Sequence, residues 1–181
     1  MMPKQYQAEL AIIGRSNVGK SSLINALSNS RISRVSKTPG RTRLLNLFEL
    51  NNHCSMVDLP GYGYVKSNQT MRLYLFDMIQ NYIQHRVALQ HLLILIDCRR
   101  QLTDLDMQLI LWCQKAKIAI SIVLTKVDKL KYSQLLKSQK DLENALTELH
   151  VAPHIFAVSS AKNTGISELN QYILGQIFKL K

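Results

Sequence analysis

Cysteine, glycine and acidic side chains are all scarce in this sequence. Three cysteines, Cys54, Cys98 and Cys113, are too few and too scattered for a disulfide framework or a zinc site. They read as reduced, buried thiols. No apolar run approaches the roughly 18 residues that a membrane span needs. Met1 to Tyr6 carry no signal-peptide core, so a cytoplasmic protein with no membrane partner is expected. Charged residues make up only 19% and apolar residues 46%, which argues against disorder and for a sizeable core. At 181 residues the chain reads as one domain spanning 1–181. Twelve acidic residues face 23 Lys and Arg, a formal charge of +11, and this surplus points to a polyanionic partner such as nucleic acid.

The apolar pattern alternates between two periods. Strand-like runs occur at 9–13, 44–50, 54–58, 91–97, 118–125 and 154–158. Helical spacings lie between most of them: Leu23, Ile24 and Leu27; then Met71, Leu75, Met78, Ile79 and Ile83. Thr103-Asp-Leu-Asp106 resembles a capping box that opens a helix through Trp112. A further helix is predicted over 133–149, and Ile166, Leu169, Ile173 and Ile177 mark one face of a last one. Strand–helix alternation implies an α/β fold with a mostly parallel six-stranded sheet and helices on both faces. The short turn at Asn51-Asn52 reads as a hairpin, hence one antiparallel strand. Residues 28–42 show no apolar period and carry Arg31, Arg34, Lys37 and Arg41, which reads as a long basic loop.

Most of the seven glycines stand in loops: Gly14, Gly19, Gly40, Gly61 and Gly63. The first two belong to Gly14-Arg15-Ser16-Asn17-Val18-Gly19-Lys20-Ser21, which fits G-x-x-x-x-G-K-[ST] between an apolar strand and an amphipathic helix. In such a loop backbone N–H groups surround phosphate oxygens. Lys20 brings a cation to the β- and γ-phosphates, and the Ser21 hydroxyl ligates Mg²⁺. At the end of the second hairpin strand stands Asp58-Leu59-Pro60-Gly61. Its carboxylate can hold the Mg²⁺ shell through water, and the Gly61 N–H can approach the γ-phosphate. Thr42, after Gly40-Arg41, can complete the Mg²⁺ shell, with Thr38 as the competing hydroxyl. Thr125-Lys126-Val127-Asp128 follows a strongly apolar strand. Its Asp can accept both guanine edge donors, and the Lys126 stem can lie over the base. A backbone N–H in Ser159-Ser160-Ala161-Lys162 can meet the guanine O6.

GRSNVGKS, TPGRT, DLPGYG, TKVD and SSAK, in this order and at these spacings, resemble the translation-factor-type P-loop GTPases. In detail they are similar to the EngB (YsxC/YihA) ribosome-biogenesis GTPases of bacteria. Further family-like features are Gly61-Tyr62-Gly63-Tyr64, Trp112, and Thr125 where most GTPases carry Asn. The resemblance implies a Ras-like G domain and GTP or GDP as ligand. The implied contacts run over Gly14 to Ser22, Gly40 to Thr42, Asp58 to Gly61, then Thr125, Lys126, Asp128, and Val158 to Ala161. Lys20, Thr42 and Gly61 would form the catalytic set; Ser21 and Thr42 would bind Mg²⁺ directly. It also implies assembly of the large ribosomal subunit and a part in cell division and septation; the basic surplus makes the subunit's rRNA the expected partner, and a monomer is expected. In related GTPases an Asn at the place of Asn17 helps to hold K⁺; a loop-capping Asn is the competing reading. Two details depart from the family: a short lead before the first strand, and Tyr74-Leu75 where a Trp is usual.

Many GTPases that orient the attacking water in cis place Gln after this last glycine. Tyr62 stands there instead, so slow turnover and switch behaviour are expected, with the triphosphate ordering 30–42 and 59–69. Two rival classes remain at this stage. A P-loop ATPase or nucleoside kinase has no use for TKVD, and a non-hydrolysing RNA scaffold has no need of Lys20, Ser21, Asp58 and Asp128 together; within the GTPases the alternative is another assembly or tRNA-modification member.

Overall fold

The computed structural model describes residues 7–29, 37–38, 45–49, 53–62 and 69–179. Its sheet is built from β1 (Ala8–Gly14), β2 (Lys37–Thr38), β3 (Asn46–Glu49), β4 (Cys54–Asp58), β5 (Leu89–Asp97), β6 (Ala119–Thr125) and β7 (His154–Ala157). The strand order is β2-β3-β4-β1-β5-β6-β7. All six predicted strands form. β3 alone runs against its neighbours, pairing antiparallel with both β4 and β2, while β1 lies parallel between β4 and β5. The two-residue strand β2 falls inside the stretch read as a basic loop. It joins an edge through backbone hydrogen bonds, which need no apolar pattern. The remainder of that stretch after Asn29, with Arg31, Arg34 and Arg41, lies outside the described residues, as does the Asn51-Asn52 turn.

Among the described residues five α-helices cover the sheet: α1 (Lys20–Asn29), α2 (Gln69–His85), α3 (Asp104–Ala116), α4 (Tyr132–Glu148) and α5 (Ile166–Tyr172), the last running into a π turn at Ile173–Ile177. Period-2 alternation sends successive residues of each strand to opposite layers. Ala11, Ile13, Leu92 and Ile94 pack with Ile79, Ile83, Leu109, Ile110, Leu142 and Leu146 of α2, α3 and α4. Leu10, Ile12, Leu93 and Leu95 pack with Leu23 and Leu27 of α1 and Leu169 of α5. α3 begins as its sequence predicts, with Thr103 as N-cap and Asp106 closing the capping box, and ends at Ala116, four residues past Trp112, with left-handed Lys117 as C-cap. All three cysteines are buried and free. No helix among the described residues is long and apolar enough to cross a membrane.

One buried charge sits at the start of the central strand. Glu9 is fully buried, and Arg86, just past α2, is 4% exposed. Arg86 Nε and Nη2 donate to the two carboxylate oxygens at 2.8 and 2.7 Å. Tyr82 of α2 also donates to Oε1, and Ser55 of β4 donates to Oε2 at 3.0 Å. Replacing Arg86 by Met leaves that carboxylate buried without its cation. A loss of about 3–5 kcal/mol is expected, read as a lower urea midpoint with an unchanged slope.

His91 of β5 is 6% exposed, with Nε2 2.9 Å from Ser121 Oγ. Burial, then the nearby His154, draws its pKa from 6.5 down to about 4. Between those values the unfolded chain binds the proton and the folded chain does not. Stability is therefore full above the unfolded pKa and falls as pH drops towards 4, by up to roughly 3 kcal/mol. Urea unfolding of wild type and His91→Gln at pH 7 and 5 checks this: the variant should lose part of the pH dependence.

Candidate functional site

Parallel strands deliver their following loops to one edge of the sheet, and four of the sequence motifs meet there. The phosphate loop leaves β1 at Gly14. A Cβ on Gly14 would lie 2.8 Å from Val18 Cγ1 and 2.9 Å from Leu95 O, so close packing against β5 demands this glycine. Gly19 has φ +103° and Asn17 φ 63°, so the turn itself is made by the second glycine and by an Asn, the residue type that best tolerates the left-handed region. Lys20 opens α1, and Ser21 and Ser22 are exposed on its first turn.

Asp58 ends β4 two strands from the sheet edge. Its Oδ1 pairs with Lys20 Nζ, and its Oδ2 accepts from Asn46 Nδ2 at 3.3 Å. Leu59 is buried, with its N–H on Ile12 O at 2.9 Å, and Pro60 and Gly61 are half-buried. Gly61 lies against the phosphate loop: a Cβ there would stand 3.3 Å from Gly14 O and from Ser16 N. Ser21 and Asp58 offer a hydroxyl and a carboxylate, hard oxygens that suit Mg²⁺. Among the described residues no cluster of three or more His, Cys, Asp or Glu exists to hold a metal by side chains alone. Gly40, Arg41 and Thr42 lie outside the described residues, and the competing Thr38 is in β2.

Two hydrogen bonds tie the end of β6 to the phosphate loop. Buried Thr125 donates from Oγ1 to Val18 O at 2.7 Å and to Ile96 O at 3.3 Å. Lys126, itself left-handed at φ 58°, donates from Nζ to Asn17 O at 2.6 Å. The same ammonium lies 3.1 Å from Asp97 Oδ2. Burial alone would raise the Asp97 carboxyl, but the Arg99 and Lys126 contacts outweigh it and hold it well below the usual carboxylate range. Asp128 accepts from Ser159 Oγ at 2.6 Å and pairs with Lys129 at 3.2 Å; these contacts, Ser159 first, lower its pKa. Val158 is buried, with its N–H on Leu124 O and its carbonyl accepting from Val127 N. Half-buried Ser160 and exposed Ala161 follow Ser159, whose Oγ accepts from Lys162 N at 3.1 Å. A cleft of about 500 Å³ opens over Gly19, Lys20, Ser21, Gly61 and Lys126.

Three contacts escape a reading of the sequence. Asp97 carries a faint signal, an acid ending an apolar strand. Ser159 as a partner of Asp128, and Tyr62 as a partner of Asp106, carry none, because each pair is joined only by the fold.

The family model described as 50S ribosome-binding GTPase matches residues 9–126. The probable GTP-binding protein EngB of Mycoplasmopsis pulmonis is 43% identical over 170 residues, 94% of this chain and 89% of that protein. Its counterpart in Mannheimia succiniciproducens is 41% identical over 93% of this chain and 82% of its own length. The chain belongs to the EngB family of GTP-binding proteins. A crystal structure of a probable EngB has the same fold, with a TM-score of 0.74 at 22% identity, covering 95% of this chain and all of that one. As an EngB-family protein the chain is a P-loop GTPase that binds GTP and GDP.

The tie from Thr125 gives an expected outcome. Thr125→Val keeps the shape but removes the donor to Val18 O and Ile96 O. GTP and GDP affinities should fall together, by about 5- to 30-fold, in titrations with fluorescent nucleotides. An undiminished affinity for both would show that the phosphate loop holds its shape without this bond.

Proposed function

We propose that this chain is a slow GTPase switch for assembly of the large ribosomal subunit, acting in the cytoplasm as a monomer, with cell division and septation dependent on it. The observation that carries the reading is the meeting of the phosphate loop, Asp58 to Gly61, Thr125 to Asp128 and Val158 to Ala161 at one sheet edge. In this reading Lys20 meets the β- and γ-phosphates, and the N–H groups of Gly14 to Ser22 cradle them. Ser21 and Thr42 hold Mg²⁺, with Asp58 acting through water. The bound ion supplies charge neutralisation of the phosphates. Gly40 and Arg41 bring Thr42 to the site, and the Gly61 N–H meets the γ-phosphate. Asp128 reads guanine N1–H and the 2-amino group. Its carboxylate is kept ionised and aimed by Ser159, and the N–H groups near Ser160 and Ala161 meet O6. K⁺ beside Asn17 is the remaining cofactor of the proposal; the left-handed backbone of Asn17 supports the loop-forming role equally.

Slow turnover is supported by Tyr62, whose hydroxyl is committed to Asp106 and whose side chain is 3% exposed. No amide at this position can orient a water. The ribosomal partner is supported by the family description and by the +11 charge, which favours rRNA phosphate. Sedimentation with purified large subunits tests the proposal. Binding should be stronger with a non-hydrolysable GTP analogue than with GDP and should fall steeply with salt, and Lys20→Ala should abolish the nucleotide dependence. Equal sedimentation with and without subunits in both nucleotide states would overturn it.

A further inference from the structure

Tyr62 follows the last glycine of the Asp58–Gly61 motif, and its side chain is buried in the protein, 3% exposed. Its hydroxyl donates to Asp106 Oδ1 in the first turn of α3. The other oxygen of that carboxylate accepts from Thr103 N at 2.8 Å and Thr103 Oγ1 at 2.6 Å. Asp106 is 1% exposed. A carboxylate this deep must be satisfied at both oxygens. The helix cap occupies one; Tyr62 satisfies the other. Burial first, then Asp106, raises the phenol well above its ordinary pKa, so it stays protonated and donates.

The backbone of the same residue is fixed on its other side. Tyr62 N donates to Gly14 O at 3.3 Å, and Tyr62 O accepts from Ser16 N at 3.1 Å. Gly61 is thus held between the phosphate loop and α3. The Tyr62 ring also meets Phe76 of α2 edge-on, and Phe76 meets Trp112 of α3 in the same way, with centroids 6.3 and 5.8 Å apart. The place of Gly61 is therefore set jointly by β1, α2 and α3.

We propose that Tyr62 and Asp106 are positioning residues for the triphosphate, holding Gly61 against the phosphate loop so that its N–H meets the γ-phosphate without a cost of ordering. This rests on the γ-phosphate role given to Gly61 above. Preorganisation of this kind strengthens only the ligand that uses the ordered group. GDP has no γ-phosphate and gains nothing from it.

The test compares the affinities of a non-hydrolysable GTP analogue and of GDP in wild type, Tyr62→Phe and Thr103→Ala. Tyr62→Phe removes one hydroxyl and should weaken the GTP analogue relative to GDP by about three- to tenfold. Thr103→Ala weakens the α3 cap but leaves the Tyr62 bond. It should lower Tm without changing the ratio of the two affinities, and so separates positioning from mere stability. A ratio unchanged in Tyr62→Phe, or lowered equally in Thr103→Ala, overturns the proposal. Should Tyr62→Phe fail to fold, hydrogen exchange on the wild type decides. The amide of Thr103 and those of the first turn of α3 should be better protected with the GTP analogue than with GDP, and equal protection overturns the proposal. If neither nucleotide binds the wild type, the reading of the nucleotide site falls and takes this inference with it. If both bind and the ratio does not move, the positioning role alone falls.

Discussion

The buried carboxylate of Glu9 constrains everything around the central strand. It lies in the first turn of pleat on β1 and takes hydrogen bonds from β4, α2 and the residue after α2. Slipping β1 by one residue would carry this charge away from Arg86 and leave two buried charges unpaired, a cost of several kcal/mol each. The pairing also absorbs an irregularity, since the β1–β5 ladder shifts register between Glu9 and Leu10. With register held at this end, the opposite end of β1 is determined: Ile12 stands beside Asp58 and Gly14 beside Leu95. A polar cluster at one edge of the sheet thus sets where the phosphate loop emerges at the other.

From there the site is assembled by short ties across the edge rather than by any single loop. β1, β5, β6 and β7 run parallel, with Asp97 of β5 beside Thr125 of β6 and Leu124 of β6 beside Ala157 of β7. β5 and β6 therefore end together, β1 ends two residues earlier with Gly14 beside Leu95, and short ties join these ends. Thr125 holds Val18, Lys126 holds Asn17, and Asp97 holds Lys126. Two of the residues so joined, Asn17 and Lys126, have left-handed backbones. Such conformations persist when neighbouring structure over-determines them, and here each supports the other. The pairing of Lys20 with Asp58 has the same character: a cation and an anion that a nucleotide and its metal would each recruit are already adjacent.

Charge is distributed unevenly over this scheme. The site's own acids, Asp58, Asp97 and Asp128, are all paired with Lys or Arg, so they do not oppose an incoming polyphosphate as free negative charges. The overall surplus of +11 lies outside these pairs and is available to attract phosphates from a distance.

The order of elements, the sheet's mostly parallel character and the motif residues at its edge were determined by the sequence alone. Those signals are local: alternation over a strand, spacing over a helix, and a loop whose glycines and lysine lie within eight residues. Tertiary structure decided the rest. Lys37–Thr38 became a strand because the edge of β3 offers unpaired backbone groups, which no side-chain pattern announces. Gly14 proved to be required by the side of Leu95 rather than by its own dihedral angles. The bonds of Glu9 to Arg86, Tyr62 to Asp106 and Lys126 to Asn17 join residues 77, 44 and 109 positions apart. A single sequence carries no trace of such pairs, because the burial that makes each charge or hydroxyl seek its partner exists only once the strands and helices have packed.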